Sequence, residues 1–171
     1  ESLGWALKVG VLCNTAELDP GDGGARIGDP MELALLAVAG QAEVTRSSLS
    51  MEFRQVRQHA FDPDRKMMAT VFSLGEDFIY AVKGAPEFVL EVSRSVFSDG
   101  ATRELSEAAR AAWRERSDHA ARTGQRVLAV AMKRAATDAE SPYEGLTLIA
   151  LVCFLDPLRE DVPAAIRASQ S

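Results

Sequence analysis

The stretch Phe53–Glu87, FRQVRQHAFDPDRKMMATVFSLGEDFIYAVKGAPE, decides the architecture. Its apolar and β-branched residues fall into short runs separated by turn formers. Phe53–Phe61 and Met67–Leu74 flank Asp62-Pro63-Asp64, and Gly75-Glu76-Asp77 parts the second run from Phe78–Val82. Asp and Pro favour tight turns through side-chain bonding and a preset φ, so these runs predict antiparallel strands joined as hairpins. The third run ends at Lys83-Gly84. Pro86 then opens a short helix through Leu90, because a residue without an N–H costs nothing in a first helical turn.

Towards the N-terminus, Leu3, Leu7 and Val11 recur at helical spacing and predict a helix over Leu3–Cys13. Asn14–Gly28 is Gly-rich and polar and reads as an exposed loop. Asp29 suits an N-cap, Pro30 the first helical position, and Glu32 stands three residues after the cap, a start signal for the apolar run that follows. Leu49–Phe53 adds a turn. Towards the C-terminus, Ser98-Asp99-Gly100 is a turn, and Ser106 caps a helix over Glu107–Arg122 with Gly124 as its stop. Gln125–Lys133 and Leu146–Leu155 read as strands, Asp156-Pro157 breaks the last, and Val162–Ala168 is helical. The expected fold is α+β, an antiparallel sheet of about six strands flanked by helices, the helices being too few to cover both faces of a doubly wound parallel sheet.

With 171 residues, 47% apolar and 26% charged, the chain is long and apolar enough for one domain with a real core, which excludes intrinsic disorder. Nineteen basic against 25 acidic residues leave a net charge of −6, the wrong sign for a nucleic-acid footprint. The longest apolar run, Leu148–Leu155, has eight residues, where a membrane-spanning helix needs about 20. No secretory leader is read, and a start at Glu1 rather than Met suggests a piece of a larger protein. Cys13 and Cys153 lie in apolar stretches and are expected to be small buried hydrophobes in a reducing compartment. His59 and His119 stand apart from other ligand types, so no metal site is expected.

Neither GxxxxGK[ST] nor GxGxxG after a strand occurs, and no Ser/His/Asp or paired-carboxylate arrangement is legible, so no catalytic residue is assigned. A stand-alone hydrolase using Asp156 or Asp29 is the weakest reading. Four segments combine differently: Gly28–Leu36 (GDPMELALL), Phe61–Met68 (FDPDRKMM), Val82–Glu87 (VKGAPE) and Gly124–Ala131 (GQRVLAVA), followed by Asp156-Pro157-Leu158-Arg159. In type and order they resemble the nucleotide-binding domain of P-type ATPases, the cation pumps that form an aspartyl-phosphate. The last segment departs from the family's DPPR by Leu158. KGAPE with DRKxM is most similar to the P2 branch of calcium, magnesium, sodium/potassium and proton pumps, and Leu12-Cys13-Asn14 leans towards the calcium type.

The resemblance implies a site for ATP, as Mg-ATP in the parent. Phe61 offers a flat face on which adenine stacks. Lys66, five residues on, is expected to fold back beside the same pocket. Lys83 lines the adenosine pocket from the end of its strand, and Gly84, lacking Cβ, lets ligand and backbone approach. Glu32 either completes a capping box on the Asp29 amide or accepts from the exocyclic amine of adenine. Arg126 is expected to meet the phosphates, and Leu128, two residues along the strand, to pack near the base.

The resemblance further implies that residues 1–155 form the nucleotide-binding domain and 156–171 begin the hinge returning to the phosphorylation domain. DKTGT, TGDN-type and GDGxND motifs do not occur, so the chain is expected to bind ATP without turnover of its own. Its expected partners are the phosphorylation and actuator domains of the same parent, on the cytoplasmic side of a membrane pump, with the fragment itself soluble and monomeric. The alternative is a protein-interaction module that binds no nucleotide.

Overall fold

The computed structural model describes residues 1–18 and 26–155, so the expected hinge, Asp156-Pro157, the Val162–Ala168 helix and the middle of the Asn14–Gly28 loop lie outside the described residues. In chain order the elements are α1 (Ser2–Leu12), β1 (Glu17–Leu18), β2 (Arg26–Ile27), α2 (Pro30–Gln41), α3 (Arg46–Ser50), β3 (Arg54–Asp62), β4 (Met67–Leu74) and β5 (Asp77–Gly84). They continue with α4 (Pro86–Val92), β6 (Ser93–Ser98), β7 (Ala101–Glu104), α5 (Glu107–Arg122), β8 (Gln125–Ala135) and β9 (Leu146–Leu155).

Local chemistry sets the ends of these elements. The Asp29 carboxylate accepts from the Met31 amide at 2.8 Å and the Glu32 amide at 3.4 Å, while Pro30 occupies the first turn of α2. Such a cap stabilises a helix by about 1 kcal/mol. Asp62 Oδ1 accepts from the amides of Asp64 and Arg65 at 2.9 and 3.2 Å, closing the β3–β4 turn. Ser106 caps α5 through the Ala109 amide, and Gly124, at φ +81°, takes the left-handed position just beyond the helix.

Among the described residues the main sheet has seven strands in the order β3-β4-β5-β8-β9-β6-β7, against the expected about six. Five of them match the runs read from the sequence; the two unread strands are β6 and β7, a hairpin around Ser98–Gly100 whose short, mostly polar strands carry no alternating apolar signal. All neighbours are antiparallel except β6 and β9, which run parallel from Ser93 opposite Leu146 to Val96 opposite Leu148. Helices pack on both faces, a correction to the expectation that they are too few. Met68, Phe72, Ile79, Ala81 and Val130 face α1, α2 and α3. Met67, Ala69, Val71, Tyr80, Val82, Ala129 and Ala131 face the opposite core with α4 and α5. Burial on both sides explains why β4, β5 and β8 read as almost continuous apolar runs.

Cys13 is buried, but Cys153 is exposed, against the expectation for both. Beyond Leu148, β9 has left β6 and pairs with β8 alone, so its end is only half enclosed. Among the described residues, no helix is long and apolar enough to cross a membrane.

Tyr80 is fully buried in the centre of the sheet. Its hydroxyl donates to the Thr137 carbonyl at 2.9 Å and accepts from the Glu140 amide at 3.1 Å, holding the β8–β9 connection against the sheet. Replacing it as Tyr80→Phe strands both groups. This should destabilise the fold by about 1–3 kcal/mol in urea unfolding, while leaving the opposite face of the sheet undisturbed.

Candidate functional site

A cavity of about 520 Å³ opens between the edge hairpin and the start of α2, well within the size of small-molecule sites. Its floor is Met68 of β4, Lys83 and Gly84 of β5 and Leu128 of β8; α2 contributes Asp29, Met31, Glu32 and Leu35. Thr15 comes from the segment after α1, and Gln58, Ala60 and Phe61 from β3. Successive β-strand residues normally point to opposite faces, yet Ala60 and Phe61 both line this space. The β3–β4 register is irregular between His59 and Asp62, and that bulge re-aims the edge strand. Phe61 is left 58% exposed at the cavity.

At the inner end sits a buried ion pair. Lys83 Nζ is 2.5 Å from Glu32 Oε1, with the two side chains only 5% and 10% exposed. Glu32 Oε2 accepts from the Thr15 hydroxyl at 2.7 Å and the Thr15 amide at 3.1 Å. Burial alone would raise the Glu32 carboxyl, but the hydrogen bonds from Lys83 and Thr15 outweigh it and hold it below its ordinary value. Glu32 thus accepts from Lys83 and Thr15, and not from the Asp29 amide as the capping-box alternative expected. Beneath the pair, Cys13 donates to the Met68 carbonyl at 3.5 Å, and burial pushes its thiol up to about 11, which keeps it protonated and inert.

Five of the seven residues singled out from the sequence therefore share one cavity: Glu32, Phe61, Lys83, Gly84 and Leu128. Lys66 does not line it. The residue takes a left-handed φ of +50° at the end of the hairpin turn, and its ammonium lies 5.4 Å from the Phe88 ring centroid, a ring packed against the α4–α5 core. Arg126 is exposed on β8 two residues from Leu128, on the same side of the strand and about 7 Å along it. Gly84 has a tighter reason to be glycine than ligand approach. A Cβ there would fall on the Lys66 carbonyl oxygen and within 2.9 Å of Met67 Cα. Thr15 and Gln58 had no motif or spacing to mark them; only the fold brings them to the site.

The cavity therefore offers an exposed aromatic face at one point, a fixed carboxylate and ammonium at another, and apolar walls between. A profile described as P-type ATPase, cytoplasmic domain N, matches residues 3–161. The chain belongs to the P-type ATPase N-domain family. It is 29% identical over 168 residues to a calcium-transporting ATPase of Listeria monocytogenes, covering 96% of this chain and 19% of that protein. It is 33% identical to a cation-transporting ATPase of Synechocystis, covering 95% of this chain and 18% of the relative. Against a probable cation-transporting ATPase of Mycobacterium tuberculosis the identity is 32%, over 99% of this chain and 19% of that one. This N domain thus spans about a fifth of the length of the curated relatives it matches.

The ion pair gives a stability test within this N domain. Removing the cation as Lys83→Met leaves a buried carboxylate with only Thr15 to satisfy it, and should cost about 3–5 kcal/mol in urea unfolding. Adding Glu32→Gln to that variant should recover most of the loss. Because the folded Glu32 carboxyl lies below its ordinary 4.5, its contribution is present above that pH and is lost as pH falls through the lower folded value. Unfolding midpoints measured down the acid limb should show this slope in the wild type, and Glu32→Gln should lack it.

Proposed function

We propose that this N domain binds ATP in the cavity between β3 and the first turn of α2. In its parent pump it would present the γ-phosphate to an aspartate of a separate phosphorylation domain. The observation that carries the reading is Phe61, a large aromatic ring left exposed at a cavity whose inner end holds a fixed carboxylate and ammonium. An exposed apolar residue needs no explanation by itself; here the ring borders a shaped, partly apolar space with a few fixed polar groups, the make-up of a small-molecule site.

In this reading adenine stacks on Phe61 and packs near Leu128. Its exocyclic amine donates to the remaining acceptor capacity of Glu32, and Lys83 supplies positive charge beside it. Asp29 and Glu32 make the α2 end of the cavity acidic, which suits the base and repels phosphate. The triphosphate then runs away from α2, towards Arg126, with Lys66 the further candidate cation. Guanidinium–phosphate bonds are charge-assisted and frequently bidentate, which suits Arg126 to that end. Magnesium would accompany the nucleotide in the parent, where it neutralises charge during phosphoryl transfer. The sequence contains no DKTGT acceptor, so binding and delivery are this chain's share of the reaction, and turnover belongs to the assembled pump.

A single stacked base and a few solvent-facing cations give modest affinity. Base–aromatic stacking contributes about 1–3 kcal/mol, so Phe61→Ala should weaken ATP binding at least about fivefold in calorimetric titration. Its melting point should change little, because the ring packs into no core. Equal affinity in the two proteins would remove Phe61 from the site, and no ATP binding by the wild type would favour an interaction module. Arg126→Ala should weaken ATP while leaving adenosine unaffected; an equal loss for both would place Arg126 away from the phosphates.

A further inference from the structure

Thr15 is exposed and belongs to none of the motifs, yet it spends both its donors on one atom. Its hydroxyl, at 2.7 Å, and its amide, at 3.1 Å, converge on Glu32 Oε2. The segment that carries it is itself held in place. Asn14 Nδ2 donates to the Glu32 carbonyl at 2.9 Å and the Gly10 carbonyl at 3.1 Å, and Asn14 Oδ1 accepts from the Ala16 amide at 2.9 Å. Arg46 Nη2 donates to the Asn14 carbonyl at 2.7 Å. Thr15 is thus a fixed donor pair, anchored to α1, α2 and α3 at once.

A carboxylate has about four acceptor sites, two on each oxygen. Thr15 fills those on Oε2, and Lys83 takes one on Oε1. What remains for a ligand is a single acceptor site on Oε1, in a direction the carboxylate cannot change while Thr15 holds the other oxygen. We propose that Thr15 is a positioning residue that locks the Glu32 carboxylate and so makes the cavity prefer a 6-amino purine nucleotide to a 6-oxo one. An exocyclic amine brings a donor to that site. A 6-oxo group brings a second acceptor, and leaving two buried acceptors facing one another carries a desolvation cost. Guanine also has a donor at N1–H, one ring position away. A carboxylate free to swing would reach it; a locked one does not. The proposal rests on the reading of the cavity as a nucleotide site.

The test compares wild type, Thr15→Val and Thr15→Ser in calorimetric titrations with ATP and GTP, with a thermal melt of each protein. Valine keeps the shape and the amide but removes the hydroxyl; serine restores it. The expected result is a wild-type preference for ATP that falls about tenfold in Thr15→Val and returns in Thr15→Ser, with Thr15→Val still folded but melting somewhat lower for want of the hydroxyl's bond to the carboxylate, and Thr15→Ser close to wild type. A merely structural role would weaken both nucleotides in proportion and leave their ratio unmoved. An unchanged ratio in Thr15→Val, a ratio lost equally in Thr15→Ser, or equal wild-type affinity for ATP and GTP would overturn the proposal while leaving the nucleotide reading intact. Failure of the wild type to bind either nucleotide would overturn both.

Discussion

The ion pair between Lys83 and Glu32 ties the middle of the sheet to the first turn of α2 and forms the inner end of the cavity. Two charges taken out of water are costly to bury, and their attraction compensates only when geometry is close and the remaining lone pairs are satisfied. Both conditions hold here, through the short Nζ–Oε1 contact and the two Thr15 donors. An apolar pair at the same two positions could close on itself and fill the space. A carboxylate and an ammonium must instead keep their hydrogen-bonding directions, which fixes where the start of α2 meets β5.

The elements most legible in the sequence were those whose ends are set by local chemistry. Asp29-Pro30, the Asp62 turn, Ser106 and Gly124 act within a few residues of themselves, and each does in the structure what its type suggests. The strands β4, β5, β8 and β9 were visible as apolar runs, although such runs do not say which residues face which layer. The features without a local signal depend on distant partners. The β6–β7 hairpin is polar and stands at the sheet edge, and its parallel union with β9 joins residues about 50 apart in sequence. The exposure of Cys153 follows from where β9 loses that neighbour, which its apolar surroundings in the chain do not disclose.

The site divides in the same way. Motif residues carried by the sheet and α2 came together because strand pairing and a capped helix position them rigidly. Lys66 illustrates the limit: five residues from Phe61 and inside the same motif, it turns towards Phe88 because one backbone dihedral lies in the left-handed region. The sequence offers Glu32 as either a capping residue or a ligand group. Its carboxylate accepts from Lys83 and from Thr15, a residue no pattern singles out, rather than from the Asp29 amide, and only tertiary contacts reveal such a use of an acidic side chain.

The two outer strands of the sheet carry a further consequence. Any sheet that ends in an open strand invites a stranger's backbone to continue it. Here β3 is long, but it carries Arg54 and Arg57 and is broken by its irregular register near Phe61; β7 has only four residues, all exposed, with Arg103 and Glu104 among them. Charge and interruption defend one margin, brevity and charge the other. The distortion that turns an aromatic ring towards the cavity therefore also discourages copies of the domain from stitching together into fibrils when they crowd one another.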